Sequence, residues 1–250
     1  MGTRATSAGR YLFVHAHPDD ETLSSGAGIL ALRRQGDDVV VVTATRGERG
    51  QATAHVPGGT HELVTVRVGE RAKALGCLGA VDGGFLGEGN NRADGRPARH
   101  YADSGMTWVD ETTAGPDPDA PADALSLADL DEVVADIVAA ARHWDAGVLV
   151  SYDSAGGYGH PDHIRCHDAT ARAAHTLGTA FAQLVDSGGQ TLDVGPDLDR
   201  LVAAHHAYAS QLTVADDEVT FTHVGGQIDT IATRTHLLRA HPAEDRQPHP

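Results

Sequence analysis

Tyr11-Leu12-Phe13-Val14-His15-Ala16-His17-Pro18-Asp19-Asp20-Glu21 carries the reading of the fold. Its first four residues are apolar and rich in β-formers, and the run is too short for a helix. They read as a buried strand. A polar cluster follows at once. Residues 20 to 35 then read as a helix, with Leu23, Ala27 and Leu30 on one face and Gly36 as its stop. Val39 to Val42 is an unbroken run of four valines, the pattern of a strand buried on both faces. Such strands belong to parallel sheets, so the segment starts a βαβ unit.

The alternation continues along the chain. Residues 61 to 75 read as a helix with Leu63, Val66, Ala74 and Leu75 toward the core, and a weaker strand is expected near Phe85-Leu86. Residues 87 to 125 are rich in Gly, Pro, Asp and Asn, and a loop of that length usually carries function or is disordered. Ser126 reads as the cap of the next helix, in which Leu127, Leu130, Val133, Val134, Ile137 and Val138 fall at helical spacing. A strand at Val148-Leu149-Val150 and a helix over 161 to 177 follow. The last part suggests a helix near 197 to 212, short strands near 218 to 232, and a frayed tail from His241 to Pro250. The expected fold is α/β: a Rossmann-like, mostly parallel sheet flanked by helices, with a small irregular C-terminal part. Residues 1–177 form the catalytic domain in this reading, and 178–250 a C-terminal helix and short strands that complete it.

Composition narrows the partners. The chain has 250 residues, 40% of them hydrophobic, enough for a real core. Asp plus Glu number 35 against 19 Lys plus Arg, a formal net charge of -16. That field repels nucleic acid and anionic membranes but not a neutral sugar. Cys77 and Cys166 are the only cysteines, which reads as two reduced thiols and not a disulfide framework. Residues 1 to 10 lack the apolar core of a signal peptide, and no apolar run reaches the roughly 20 residues of a membrane span. A cytoplasmic location is expected, and a homo-oligomer is left open.

Two segments concentrate side chains suited to chemistry. One is His15 to Glu21; the other is Gly159-His160-Pro161-Asp162-His163. Both fall at the carboxyl end of an expected parallel strand, where open α/β sheets place their crevices. Each pairs imidazole with carboxylate around a proline. Those groups ligate zinc and related divalent ions, and a catalytic zinc needs three protein ligands and one open position. A single such cluster reads equally well as helix-cap or core histidines; two at strand ends point to one shared crevice.

The pair Ala16 to Glu21 and Gly159 to His163 resembles the PIG-L/LmbE-like deacetylase family, and most closely the actinobacterial branch of mycothiol metabolism. The stretch Val39 to Gly50, the segment from Arg67, Asp103-Ser104-Gly105-Met106 and the run Ser151 to His163 are similar to that branch, in the same order. The resemblance implies a metal-dependent N-deacetylase acting on an N-acetylglucosamine-type small molecule, such as N-acetylglucosaminyl-inositol. It implies Zn2+ or another divalent transition metal on His17, Asp20 and His163. Asp19 is then the general base, His160 the group that stabilises or protonates the tetrahedral intermediate, Asp162 the carboxylate that orients His160, and Tyr158 a mobile residue that polarises the amide. Arg67 and Asp103 match residues that hold sugar hydroxyls. Gln51 stands where the mycothiol deacetylases carry a substrate-contacting glutamate, and the segment near 178 to 198 is shorter than in that branch. Leu23-Ser24 is similar to the deacetylases and not to the conjugate amidases, which have a lysine nearby.

Other readings remain at this level: a conjugate amidase or natural-product aminosugar deacetylase of the same family, and a sugar-binding module without chemistry. Non-haem iron oxygenases also use two histidines and a carboxylate, but on an all-β scaffold, which this alternation does not match.

Overall fold

The structure is a computed structural model that describes residues 9–53 and 60–240. The chain opens with β1 (Arg10–His15), a one-turn α1 (Asp20–Leu23), α2 (Gly26–Gln35), β2 (Asp38–Thr43), α3 (Thr60–Leu78) and β3 (Val81–Phe85). A short hairpin of β4 (Met106–Trp108) and β5 (Ala114–Pro116) precedes α4 (Leu130–His143), β6 (Val148–Tyr152) and α5 (Pro161–Leu177). Then come β7 (Ala180–Val185), β8 (Gln190–Asp193) and α6 (Leu198–Ala207). The chain continues through β9 (Leu212–Val214), β10 (Thr220–His223), β11 (Ile228–Thr230) and β12 (Arg234–Ala240).

The central sheet has the order β3-β2-β1-β6-β7-β12-β8. The first five of these strands run parallel, and β12 pairs antiparallel with both β7 and β8. Side chains of a strand alternate between faces, so the apolar runs fill two cores at once. Tyr11, Phe13, Val39 and Val41 meet α2, α3 and α6 on one face. Leu12, Val14, Val40 and Val42 meet α4 and α5 on the other. Strand order reverses between β1 and β6, whose register pairs Tyr11 with Val148 and Phe13 with Val150. That reversal opens the crevice at their carboxyl ends.

Several expectations are corrected. The helix read over 20 to 35 is two helices. Ser25 leaves helical geometry (φ -132, ψ 0), and its hydroxyl donates to the Glu21 carbonyl. The cap read at Ser126 belongs instead to Asp129, whose carboxylate accepts from Glu132 N–H. Ser126 lies in a 3-10 turn, and Leu127 is exposed. Val66 is only half-buried, because α3 turns Arg67, Glu70 and Arg71 inward beside it. The loop read over 87 to 125 contains the β4–β5 hairpin, and β7, β8 and β12 extend the sheet beyond the strands read from sequence. Both cysteines are free, and no helix among the described residues is long and apolar enough to cross a membrane. The tail from His241 lies outside the described residues.

The two candidate caps separate cleanly in a stability measurement. Asp129→Ala removes a satisfied N-cap and should cost about 1 kcal/mol in urea unfolding, whereas Ser126→Ala should leave the midpoint unchanged. Equal costs at the two positions would contradict the observed helix start.

Candidate active site

The two polar segments leave adjacent strands and meet. Beyond β1 the chain turns through His17 and Pro18 into Asp19, a non-glycine residue at φ 109, and then into α1. Beyond β6 it passes Gly156 (φ 68), Gly157 (φ 63) and Gly159 (φ 93) before His160 caps α5. A side chain at Gly159 would lie 2.7 Å from the Ala114 carbonyl, which is why this close approach of loop and hairpin requires glycine.

His17, Asp20, His160 and His163 are all buried. His17 Nδ1 lies 3.3 Å from Asp20 Oδ2, and His163 Nε2 lies 3.4 Å from Asp20 Oδ1. The ring of His17 is 4.5 Å from that of His160 and 5.4 Å from that of His163. Ligand-capable atoms of His17, His160 and His163 come within 4.8 Å of one another, and so do those of His17, Asp103, His160 and Asp162. On the far side of its ring, His17 Nε2 faces Asp162 Oδ2 at 3.2 Å and Asp103 Oδ1 at 3.6 Å. Burial works against a charge on His17, but Asp103, Asp162 and Asp20 outweigh it and raise its pKa. Burial also opposes charge on Asp20, and His163 and His17 overcome that and hold it well below the usual carboxylate range.

These residues fit a divalent cation. His163 is buried, and neither of its ring nitrogens has a hydrogen-bond partner. Buried polar atoms are normally satisfied, so an orphaned imidazole aimed at a carboxylate is what a metal ligand requires. The carboxylates behind His17 are the hydrogen-bonded partners that ligating histidines normally have.

Asp19 stands beside this set. Its Oδ2 accepts from Arg67 Nη2 at 2.8 Å, and its backbone N–H lies 3.3 Å from Glu21 Oε2. Burial pushes its carboxyl up to about 7, against the pull of the Arg67 guanidinium. A cation at the neighbouring Asp20 would oppose that rise and keep Asp19 ionised. His160 Nδ1 accepts from the Asp162 N–H at 3.2 Å, as an N-cap side chain does at the second residue of its helix. A neutral His160 then carries its proton on Nε2. Burial, then His17 and His163, lower its pKa to about 3.

Three substrate-side and positioning expectations meet a different arrangement. Asp162 orients His17 and not His160: its carboxylate takes His17 Nε2 and the Ser104 N–H and hydroxyl, and it reaches His160 only through its backbone. Arg67 is buried and already committed, with Nη1 on the Gly47 carbonyl at 2.9 Å and Nη2 on the Pro18 carbonyl at 2.6 Å and on Asp19. Only its Nε lacks a partner. Gln51 is exposed. Its carbonyl accepts from Gln211, and among the described residues no hydrogen bond ties its side chain to the cluster. Asp103 is brought in, buried against His17. Tyr158 sits at the rim, half-exposed, with its ring 5.3 Å from that of His163 and 6.0 Å from that of the exposed Trp108. Sequence reasoning passed over Ser104, Tyr152 and Tyr208. Ser104 lies inside a matched stretch. Tyr152 too lies inside a matched stretch, Ser151 to His163, and Tyr208 closes the end of α6.

Comparison with known proteins agrees with this geometry. The GlcNAc-PI de-N-acetylase (PIG-L) family matches residues 12–174. The 1D-myo-inositol 2-acetamido-2-deoxy-alpha-D-glucopyranoside deacetylase of Kineococcus radiotolerans is 43% identical over 168 residues, 66% of this chain and 44% of that protein. The chain spans about half the length of the curated relatives it matches. In fold it is similar to a deacetylase of the teicoplanin biosynthesis pathway (TM-score 0.60, 18% identity, 92% of this chain and 98% of that one). The 4-carboxy-2-hydroxymuconate hydratase GalB of Pseudomonas putida is also similar (TM-score 0.56, 16% identity, 96% and 100%). With both strand-end motifs inside the matched region and converging on one crevice, the chain belongs to the PIG-L, or GlcNAc-PI de-N-acetylase, family.

Proposed function

We propose that the chain is a zinc-dependent N-deacetylase that hydrolyses the acetamide of an N-acetylglucosamine-type substrate to the free amine and acetate. The observation that carries this reading is the orphaned, buried His163 facing Asp20 and His17, with an ionisable carboxylate, Asp19, at its side. His17, Asp20 and His163 would hold the cation. When bound, it supplies a more acidic water and polarises the amide carbonyl.

The chain's own residues supply the proton transfers. Asp19 accepts the proton of the attacking water, and its position is fixed by Arg67 and by the Pro18–Asp19 turn. His160 presents Nε2–H to the oxygen on which negative charge develops, or to the departing nitrogen. Tyr158, beside glycines with left-handed backbone, stands where it can close on the substrate. The close similarity to inositol-linked N-acetylglucosamine deacetylases supports that glycoside as the substrate, and the hydrolytic machinery does not depend on the choice.

Zinc-loaded protein incubated with N-acetylglucosaminyl-inositol and a panel of other N-acyl aminosugars should release primary amine and acetate in equal amounts from at least one. Turnover of the inositol glycoside is expected. Turnover of a different N-acyl sugar alone would move the substrate within the same reaction class, and no amine from any of them would overturn the deacetylase reading.

Two substitutions separate the roles. Asp19→Asn should retain the metal and lower kcat by about 10²–10⁴, since an amide cannot take the proton. Arg67→Ala should lower kcat about a hundredfold, by misplacing Asp19, with a smaller change in KM. A raised KM at unchanged kcat would return Arg67 to the sugar hydroxyls.

A further inference from the structure

We propose that Tyr152 is a positioning residue that fixes two of the three metal ligands at once, with His15 packed behind it. The inference rests on the ligand set proposed above and adds residues that neither motif contains by role. Tyr152 ends β6 and is buried. Its hydroxyl lies 2.7 Å from Asp20 Oδ2. Its ring stacks on that of His163 with centroids 3.9 Å apart and planes 4° from parallel. One side chain therefore sets the position of a carboxylate through its tip and the plane of an imidazole through its face.

Counting donors and acceptors gives the hydroxyl a direction. A phenol has one proton and two lone pairs. A carboxylate that ligates a cation is deprotonated and can only accept, so the phenol proton points to Asp20. The oxygen then receives the Ala16 backbone N–H at 2.8 Å. Its second lone pair faces His15 Nδ1 at 3.3 Å. His15 is itself fully buried, and its Nε2 lies 2.9 Å from Ser25 Oγ, at the break between α1 and α2. The hydroxyl is held between the Ala16 N–H and Asp20, with His15 in contact behind it. The short break in the first helix is thus joined to the ligand set.

Hydrogen-bonded partners of metal ligands typically contribute 10–100-fold to metal affinity. Tyr152→Phe keeps the stacked ring and removes the donor. In a chelator-competition titration with zinc, its Kd should rise about 10- to 100-fold over that of the wild type. A role confined to packing would lower the thermal midpoint of the metal-free protein and leave the zinc Kd unmoved. His15→Phe touches none of the three ligands. It should weaken zinc by a smaller factor, several-fold, and it serves in place of Tyr152→Phe if that chain does not fold. His163→Ala is the control for the ligand set and should abolish zinc binding. A wild type that binds no zinc overturns the ligand set and this inference with it. A wild type that binds zinc, with Tyr152→Phe or His15→Phe binding it equally tightly, overturns this inference alone.

Discussion

Asp20 stands between two imidazoles, 3.3 Å from His17 and 3.4 Å from His163, in a crevice from which the sheet and its helices exclude most water. Asp19, Asp103 and Asp162 press in around the same rings. Carboxylates are not stable together in such a place unless positive charge balances them. Part of that charge comes from Arg67 on Asp19. The orphaned nitrogens of His163 mark where the remainder, a divalent cation, would sit. The strained backbone at Asp19 and the glycines ahead of His160 serve this same gathering of charge, since they bring two strand-end turns within contact distance.

The sequence makes the centre of this arrangement legible and its surroundings much less so. Four consecutive valines and the strand before His15 give the parallel core, because strands buried on both faces leave little choice of residue. The two His-Pro-Asp clusters give the crevice for a similar reason: metal chemistry tolerates few side chains. Strands β7, β8 and β12 are harder to read. β12 in particular mixes Arg234, His236 and Arg239 with leucines, as strands nearer the edge of a sheet do. The break at Ser25 was hidden because one serine inside a helical pattern does not announce which carbonyl its hydroxyl will take. Arg67 and Asp162 were legible as site residues but not in their partners. A family motif names a residue, whereas its hydrogen bonds depend on the Pro18 turn, Ser104 and the start of α5.

The fold alone does not choose the reaction. The same architecture carries a deacetylase of the teicoplanin pathway and a hydratase at under 25% identity, so the functional reading has to come from the site. Here Asp19, His17, Asp20, His160 and His163 gather at one crevice, which supports the proposed attack of water on an acyl carbon. The rim is where this chain has its own character. Trp108 and Tyr158 are exposed there on a hairpin and a glycine-rich loop, and Gln51 is exposed, with its backbone carbonyl bonded by Gln211.

His17 presents two niches, one on its Nδ1 side with Asp20 and one on its Nε2 side with Asp103 and Asp162. Anomalous diffraction at the zinc edge, from crystals grown with one equivalent of zinc, distinguishes them directly. The account predicts a single peak about 2.0–2.2 Å from a nitrogen of His17, an oxygen of Asp20 and a nitrogen of His163, with Asp19 outside bonding distance. A peak held instead by His160, Asp103 and Asp162 would contradict it.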